Sequence, residues 1–172
     1  MENIAALQEF LKTPRNIVIT THQKPDGDAM GSSLALYNYL QPRGHEVRVI
    51  SPTEFPAYFG YLPGCDEVWN YLENPSLSQI AIESAELIFC LDFNDLGRIE
   101  PLNEFIKKNE TAKLVLIDHH LNPQIDAEWI LHDTKACSTC ELVYRLLEIL
   151  DSSYVPTKEV SECIYTGILT DT

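Results

Sequence analysis

The stretch NIVITTHQKPDGDAMGSSLALYNYLQ, residues 16–41, carries two hydrophobic patterns joined by one polar turn. NIVITTH (16–22) is a short β-branched run of the kind that forms a buried strand. DAMGSSLALYNYLQ (28–41) places Met30, Leu34 and Tyr37 near one helical face, and Gly44 follows as a helix stop. A strand that feeds a helix this directly is the unit from which α/β domains are built.

The same grammar continues outward. EVRVIS (46–51) alternates as a strand should. AELIFCLD (85–92) and AKLVLIDHH (112–120) are continuous apolar runs that end abruptly in polar residues, as parallel strands buried on both faces do. The helix-like PLNEFIKKNE (101–110) lies between them, and AEWILHD (127–133) is a further strand candidate. Residues 3–12 put Ile4, Leu7 and Leu11 at helical spacing before Pro14. STCELVYRLLEIL (138–150) starts with a capping box, Ser138 and Glu141, and a last helix is predicted over roughly 157–170. Residues 51–75 hold Pro52, Pro56, Pro63 and Pro75 among aromatics, which predicts an ordered but irregular connection. The expectation is an α/β fold with a mostly parallel central sheet flanked by helices.

With 172 residues and 45% hydrophobic content, the chain can build one domain with its own core, or one domain of a longer protein. No apolar run approaches a membrane span, and MENIAALQEFLK lacks the charged and apolar regions of a signal peptide, so a cytoplasmic setting is expected. Five cysteines form an odd set that argues against a disulfide scaffold. Cys137 and Cys140 form a C-x-x-C with no second pair to complete a zinc site, and they flank a helix start. The formal charge of −14 argues against a surface for long duplex nucleic acid, which needs many Lys and Arg. It leaves room for a small anionic substrate, because divalent cations bound by acidic residues invert the local sign.

Ligands of open parallel sheets bind outside the carboxyl ends of the strands. There the first run delivers His22, Asp26 and Asp28, the next Asp92, and the third Asp118, His119 and His120, while Asp171 follows the apolar YTGIL. Each residue alone has an ordinary reading as a helix cap or turn former. Together they gather mutually repelling carboxylates at one sheet edge, and cations are the economical explanation. Carboxylate and imidazole without obligatory thiolate suit Mn²⁺, with Co²⁺ or Mg²⁺ as alternatives. At least six ligands suggest two ions sharing a carboxylate, about 3.5–4 Å apart, which activate a water for attack on phosphorus. Gly27 and Gly31 would let the turn approach bound ligands, and Ser32 and Ser33 could donate to an anion from the helix start, or form a solvated polar turn.

In order and spacing, THQKPDGDAMGSSLAL, LDFNDLGR, IDHH and GILTDT resemble the four motifs of the DHH phosphoesterase family, in its oligoribonuclease and phosphoadenosine-phosphate phosphatase branch. The resemblance spans about residues 14–172. It implies one manganese held by His22, Asp26 and Asp92 and a second held by Asp28, Asp92, His119 and Asp171, with Asp92 the bridge and the water between them the nucleophile. It also implies that Asp118 orients its histidine neighbour and that His120 contacts the scissile phosphate or assists the leaving group. Arg98 could hold a substrate phosphate or pair with Glu100, and Asp95 and His132 stay outside the metal set.

Family members normally continue into a smaller C-terminal substrate-binding domain, DHHA1, whereas this chain ends at Thr172. Residues 1–172 are therefore expected to be the DHH domain, with metal binding intact and nucleotide hydrolysis weak or absent without the second wall. The implied substrates are short RNA or 3',5'-bisphosphate nucleotides (pAp), and the full-length protein could form a homodimer. Polyphosphate or pyrophosphate hydrolysis uses the same core and is the alternative, with a non-catalytic metal-binding module as the second alternative. A dinucleotide-binding dehydrogenase domain is disfavoured because no G-x-G-x-x-G follows the first strand.

Overall fold

A computed structural model describes residues 3–172. Six strands, β1 (Asn16–Thr20), β2 (Glu46–Ser51), β3 (Trp69–Asn70), β4 (Leu87–Leu91), β5 (Lys113–Asp118) and β6 (Trp129–His132), form one sheet in the order β3-β2-β1-β4-β5-β6. Every neighbouring pair is parallel. The order reverses between β1 and β4, which leaves a crevice beyond their carboxyl ends.

The continuous apolar runs are explained by burial on both faces. Ile17, Ile19, Phe89, Leu91 and Ile117 point to one core, while Val18, Ile88, Cys90 and Leu116 point to the other. The first core is covered by α1 (Ile4–Phe10), α2 (Gly27–Leu40), α5 (Thr139–Leu150) and α6 (Lys158–Asp171). The second is covered by α3 (Pro75–Ser84) and α4 (Leu102–Lys108).

Two regions depart from the sequence reading. The connection expected to be irregular over 51–75 contains short 3₁₀ turns, but also the two-residue edge strand β3. Helix α3 was not anticipated; Pro75 occupies its first turn, and only Ser78 and Ile82 are buried, so its apolar stripe is too thin to show in the sequence.

Helix α2 is buried on nearly its whole circumference rather than along one face. Its small residues meet α6, and α2 with α6 forms the most extensive contact between any two elements. A Cβ on Gly31 would lie 2.5 Å from the carbonyl oxygen of Cys163, and one on Gly167 of α6 would lie 2.1 Å from Cys140 Sγ. These glycines therefore serve helix–helix approach. The expected role of Gly31 beside bound ligands is corrected accordingly.

Candidate metal centre

Asp26 shows how the first turn builds the site. It is the N-cap of α2, with Oδ1 accepting from the backbone N–H groups of Asp28 and Ala29, both at 3.0 Å. Its Oδ2 remains free and faces His22 Nε2 at 3.9 Å. His22 Nδ1 lies 2.7 Å from the carbonyl oxygen of Gln23, so it carries the proton and Nε2 presents its lone pair.

Asp92 is at the centre. It follows β4 directly, is 2% exposed and holds φ at 66°, a left-handed conformation that aspartate tolerates better than most residues. Its N–H donates to the carbonyl of Ile117 at 3.0 Å. Its Oδ2 lies 3.5 Å from His22 Nε2, and its Oδ1 lies 3.6 Å from His119 Nε2. The two carboxylate oxygens therefore face different imidazoles.

His119 Nε2 also lies 3.8 Å from Asp28 Oδ2 and 3.5 Å from Asp171 Oδ2. These spacings exceed a hydrogen bond and suit groups arranged about a common centre. Three sets converge closely enough to hold an ion: His22 with Asp26 and Asp92, Asp28 with His119 and Asp171, and Asp92 with His119 and His120. His120 differs from the other two histidines. Its Nδ1 is 2.7 Å from Asp118 Oδ1, and Asp118 is fully buried, so the carboxylate pins the ring and leaves Nε2 outward. The histidine that Asp118 orients is His120.

The electrostatics ask for positive charge. Burial pushes Asp28 and Asp92 above the usual carboxylate range, although amide donors on Asp28 and the His22 imidazole on Asp92 offset part of the shift. Asp171 is pushed up by burial and by the charges of Asp92 and Asp26, against the opposing pull of His119 and His120. For His22, burial favours the neutral ring, but Asp92, the Gln23 carbonyl and Asp26 outweigh it and the net shift is upward. Among the described residues, no lysine or arginine pairs with these carboxylates. The donor set fits hard or borderline divalent cations. Burial, then the charge of Asp28, pushes the Cys140 thiol well up, and burial pushes Cys137 up too, which disfavours a thiolate from the C-x-x-C.

Other expected residues fall outside this cluster. Ser32 is fully buried and its Oγ donates to the Ala29 carbonyl at 3.3 Å; Ser33 is equally buried. Both are shut off from solvent, and the Ser33 hydroxyl has no partner among the described residues. Arg98 is exposed on the turn Leu96–Ile99, whose backbone touches the site loop: its carbonyl accepts from Gln23 N–H at 2.9 Å. It forms no ion pair with Glu100 among the described residues. Asp95 caps that turn through Gly97 N–H, and His132 Nε2 lies 2.6 Å from the His120 carbonyl.

The sequence reading missed the start of α5. Asp28 Oδ2 accepts from Thr139 N–H at 2.6 Å and Oδ1 from Cys140 N–H at 2.8 Å, and Thr139 Oγ1 donates to Asp92 Oδ1 at 2.9 Å. The expected capping box revealed that a helix starts there, but nothing in it revealed where the helix end points. Ser138 does accept from Glu141 N–H, at 3.1 Å, but Glu141 reaches back to Cys137 N–H rather than to that of Ser138.

Fold and site together define an open-sheet α/β protein with a candidate divalent-metal centre at the strand-order reversal. The family described as DHH family, N-terminal domain, matches residues 16–168, and the chain belongs to it. The bifunctional oligoribonuclease and PAP phosphatase NrnA of Thermus thermophilus is 31% identical, over 99% of this chain and 48% of its own length. The Bacillus subtilis protein of that name is 31% identical, over 91% of this chain and 46% of its own. An exopolyphosphatase-related protein from Bacteroides fragilis superposes with a TM-score of 0.94 at 36% identity, covering 98% of this chain and 49% of that one. The chain thus spans about half the length of the relatives it matches. Among the described residues, no helix is long and apolar enough to cross a membrane.

Proposed function

We propose that this chain is the metal-bearing half of a phosphoesterase that hydrolyses short oligoribonucleotides or 3',5'-bisphosphate nucleotides such as pAp, with two Mn²⁺ as cofactors. The carrying observation is that Asp92 offers one oxygen to the His22 and Asp26 group and the other to the His119 group. A shared carboxylate between two sets of ligands is what a two-cation centre requires. His22, Asp26 and Asp92 would hold one ion, and Asp28, Asp92, His119 and Asp171 the other. Bound there, such a pair supplies Lewis acidity that activates water and neutralises charge developing on phosphate.

The chain's own groups do the rest. Asp118 fixes the His120 ring through Nδ1, which leaves Nε2 to meet a phosphate oxygen or, when protonated, to pass a proton to the departing oxygen. Arg98, exposed on the turn bonded to Gln23, would meet an outlying phosphate. The far end of the substrate would be held by polypeptide outside this segment, in keeping with relatives about twice as long.

Mn²⁺-dependent hydrolysis of a dinucleotide, of pAp and of polyphosphate, compared between the full-length parent protein and its Asp92→Ala variant, tests this reading. We expect turnover of the first two substrates and a loss in the variant well beyond the roughly 10–100-fold typical of outer-shell changes. Undiminished activity in Asp92→Ala would refute the bridge. Turnover of polyphosphate alone would move the assignment to an exopolyphosphatase, and Mn²⁺ binding without any hydrolysis to a non-catalytic module.

A further inference from the structure

Helix α5 begins at the candidate metal centre, on a residue that touches both halves of it. Thr139 is fully buried. Its main-chain N–H donates to Asp28 Oδ2 at 2.6 Å, and its hydroxyl donates to Asp92 Oδ1 at 2.9 Å. The adjacent Cys140 N–H takes the remaining oxygen of Asp28 at 2.8 Å. First-turn amides of a helix have no partner within the helix, and the positive end of the helix favours carboxylates. Asp28 therefore has a fixed orientation with or without a cation. Asp92 comes from a different element, and among the described residues the Thr139 hydroxyl is its tie to that same helix end.

We propose that Thr139 is a positioning residue of the metal centre: it locks the bridging carboxylate of Asp92 in register with Asp28, so that the ligand set on the Oδ1 side is formed before a cation arrives. The proposal rests on the two-cation reading. Without the hydroxyl, Oδ1 faces only His119 at 3.6 Å and His120 at 3.8 Å, neither within hydrogen-bonding reach, and the carboxylate is held from its other oxygen alone, by His22 at 3.5 Å. A threonine N–H alone cannot replace it, because that donor is already committed to Asp28.

Thr139→Val keeps the shape and removes the donor; Thr139→Ser keeps the donor and removes the methyl group. The readouts are calorimetric titration of metal-free protein with Mn²⁺ and the melting midpoint in EDTA. Thr139→Val should bind Mn²⁺ about 10–100-fold more weakly, with one ion per chain lost at limiting metal, and Thr139→Ser should stay within about threefold of wild type. Wild-type affinity in the Val variant would overturn the proposal, as would a Ser variant as weak as Val. A lowered midpoint in EDTA with unchanged affinity, or a Val variant that does not fold, would make Thr139 a packing residue and overturn it too. A wild type that binds no Mn²⁺ would overturn the metal-centre reading and this proposal with it, whereas normal wild-type binding beside a silent Val variant would overturn this proposal alone.

Discussion

His120 is the one histidine of the site whose ring is held by a carboxylate rather than by a backbone carbonyl, and it is also the most exposed of the three, with 37% of its side chain open. That combination suits a group that meets substrate. His120→Ala should lower kcat by about 10²–10⁴-fold while Mn²⁺ affinity stays close to wild type. Steady-state kinetics of the full-length parent protein on a dinucleotide beside a metal titration would check this, and a parallel loss of Mn²⁺ binding would make His120 a ligand. The convergence was legible at this scale: His22, Asp26, Asp28, Asp92 and His119 follow strands as the strand-end argument expects, and Asp171, which follows the apolar YTGIL instead, joins the same clusters. The burial of Ser32 was not legible, since a hydroxyl near a helix start reads alike whether it is open to solvent or bonded within its own helix. Thr139 was invisible, since its partners are far away in the chain.

The contact between α2 and α6 brings Asp171 to Asp28, and it depends on missing side chains. A Cβ at Gly167 would stand 2.1 Å from Cys140 Sγ and 2.9 Å from Asp28 Oδ1. Overpacking of this kind costs about 1–3 kcal/mol, against a gain of about 0.5–1 kcal/mol from replacing glycine within a helix. Gly167→Ala should therefore lower the melting midpoint and also weaken Mn²⁺ binding, because relief of the clash moves Asp28. Thermal unfolding with and without Mn²⁺ would show both effects. Elements with strong patterns, the buried strands and the amphipathic α5, could be read directly. The thin stripe of α3 and the two residues of β3 could not, because tertiary neighbours rather than local pattern stabilise them.

For the whole molecule, the strand order matches that of dinucleotide-binding domains, although no glycine fingerprint follows β1. The crevice is the same and its lining is not: a helix-capping aspartate and clustered carboxylates stand where a phosphate-binding turn would be. That choice stores repulsion in an acidic protein of formal charge −14. Asp92 has its folded pKa raised above the ordinary 3.8, so the folded state holds the proton more tightly; the associated stability is complete at low pH and is lost as pH rises through the raised value. In EDTA, Asp92→Asn, which cannot ionise, should melt above wild type at about pH 8, and the gap should shrink as pH falls. With Mn²⁺ present the order should invert, because the ligand must be deprotonated to bind. A pH-independent difference in EDTA would contradict the repulsion.

His119 faces Asp28 from the second helix and Asp171 from the last, so the elements meeting at that point are separated by most of the chain. A cation held among them would act as a reversible cross-link. Closing a loop of that length restricts the unfolded chain by an entropy equivalent to roughly 4–5 kcal/mol in the disulfide case. By that comparison, the centre proposed to prepare water for chemistry would also be a clasp on the fold, one that opens to a chelator where a disulfide would open to a reductant.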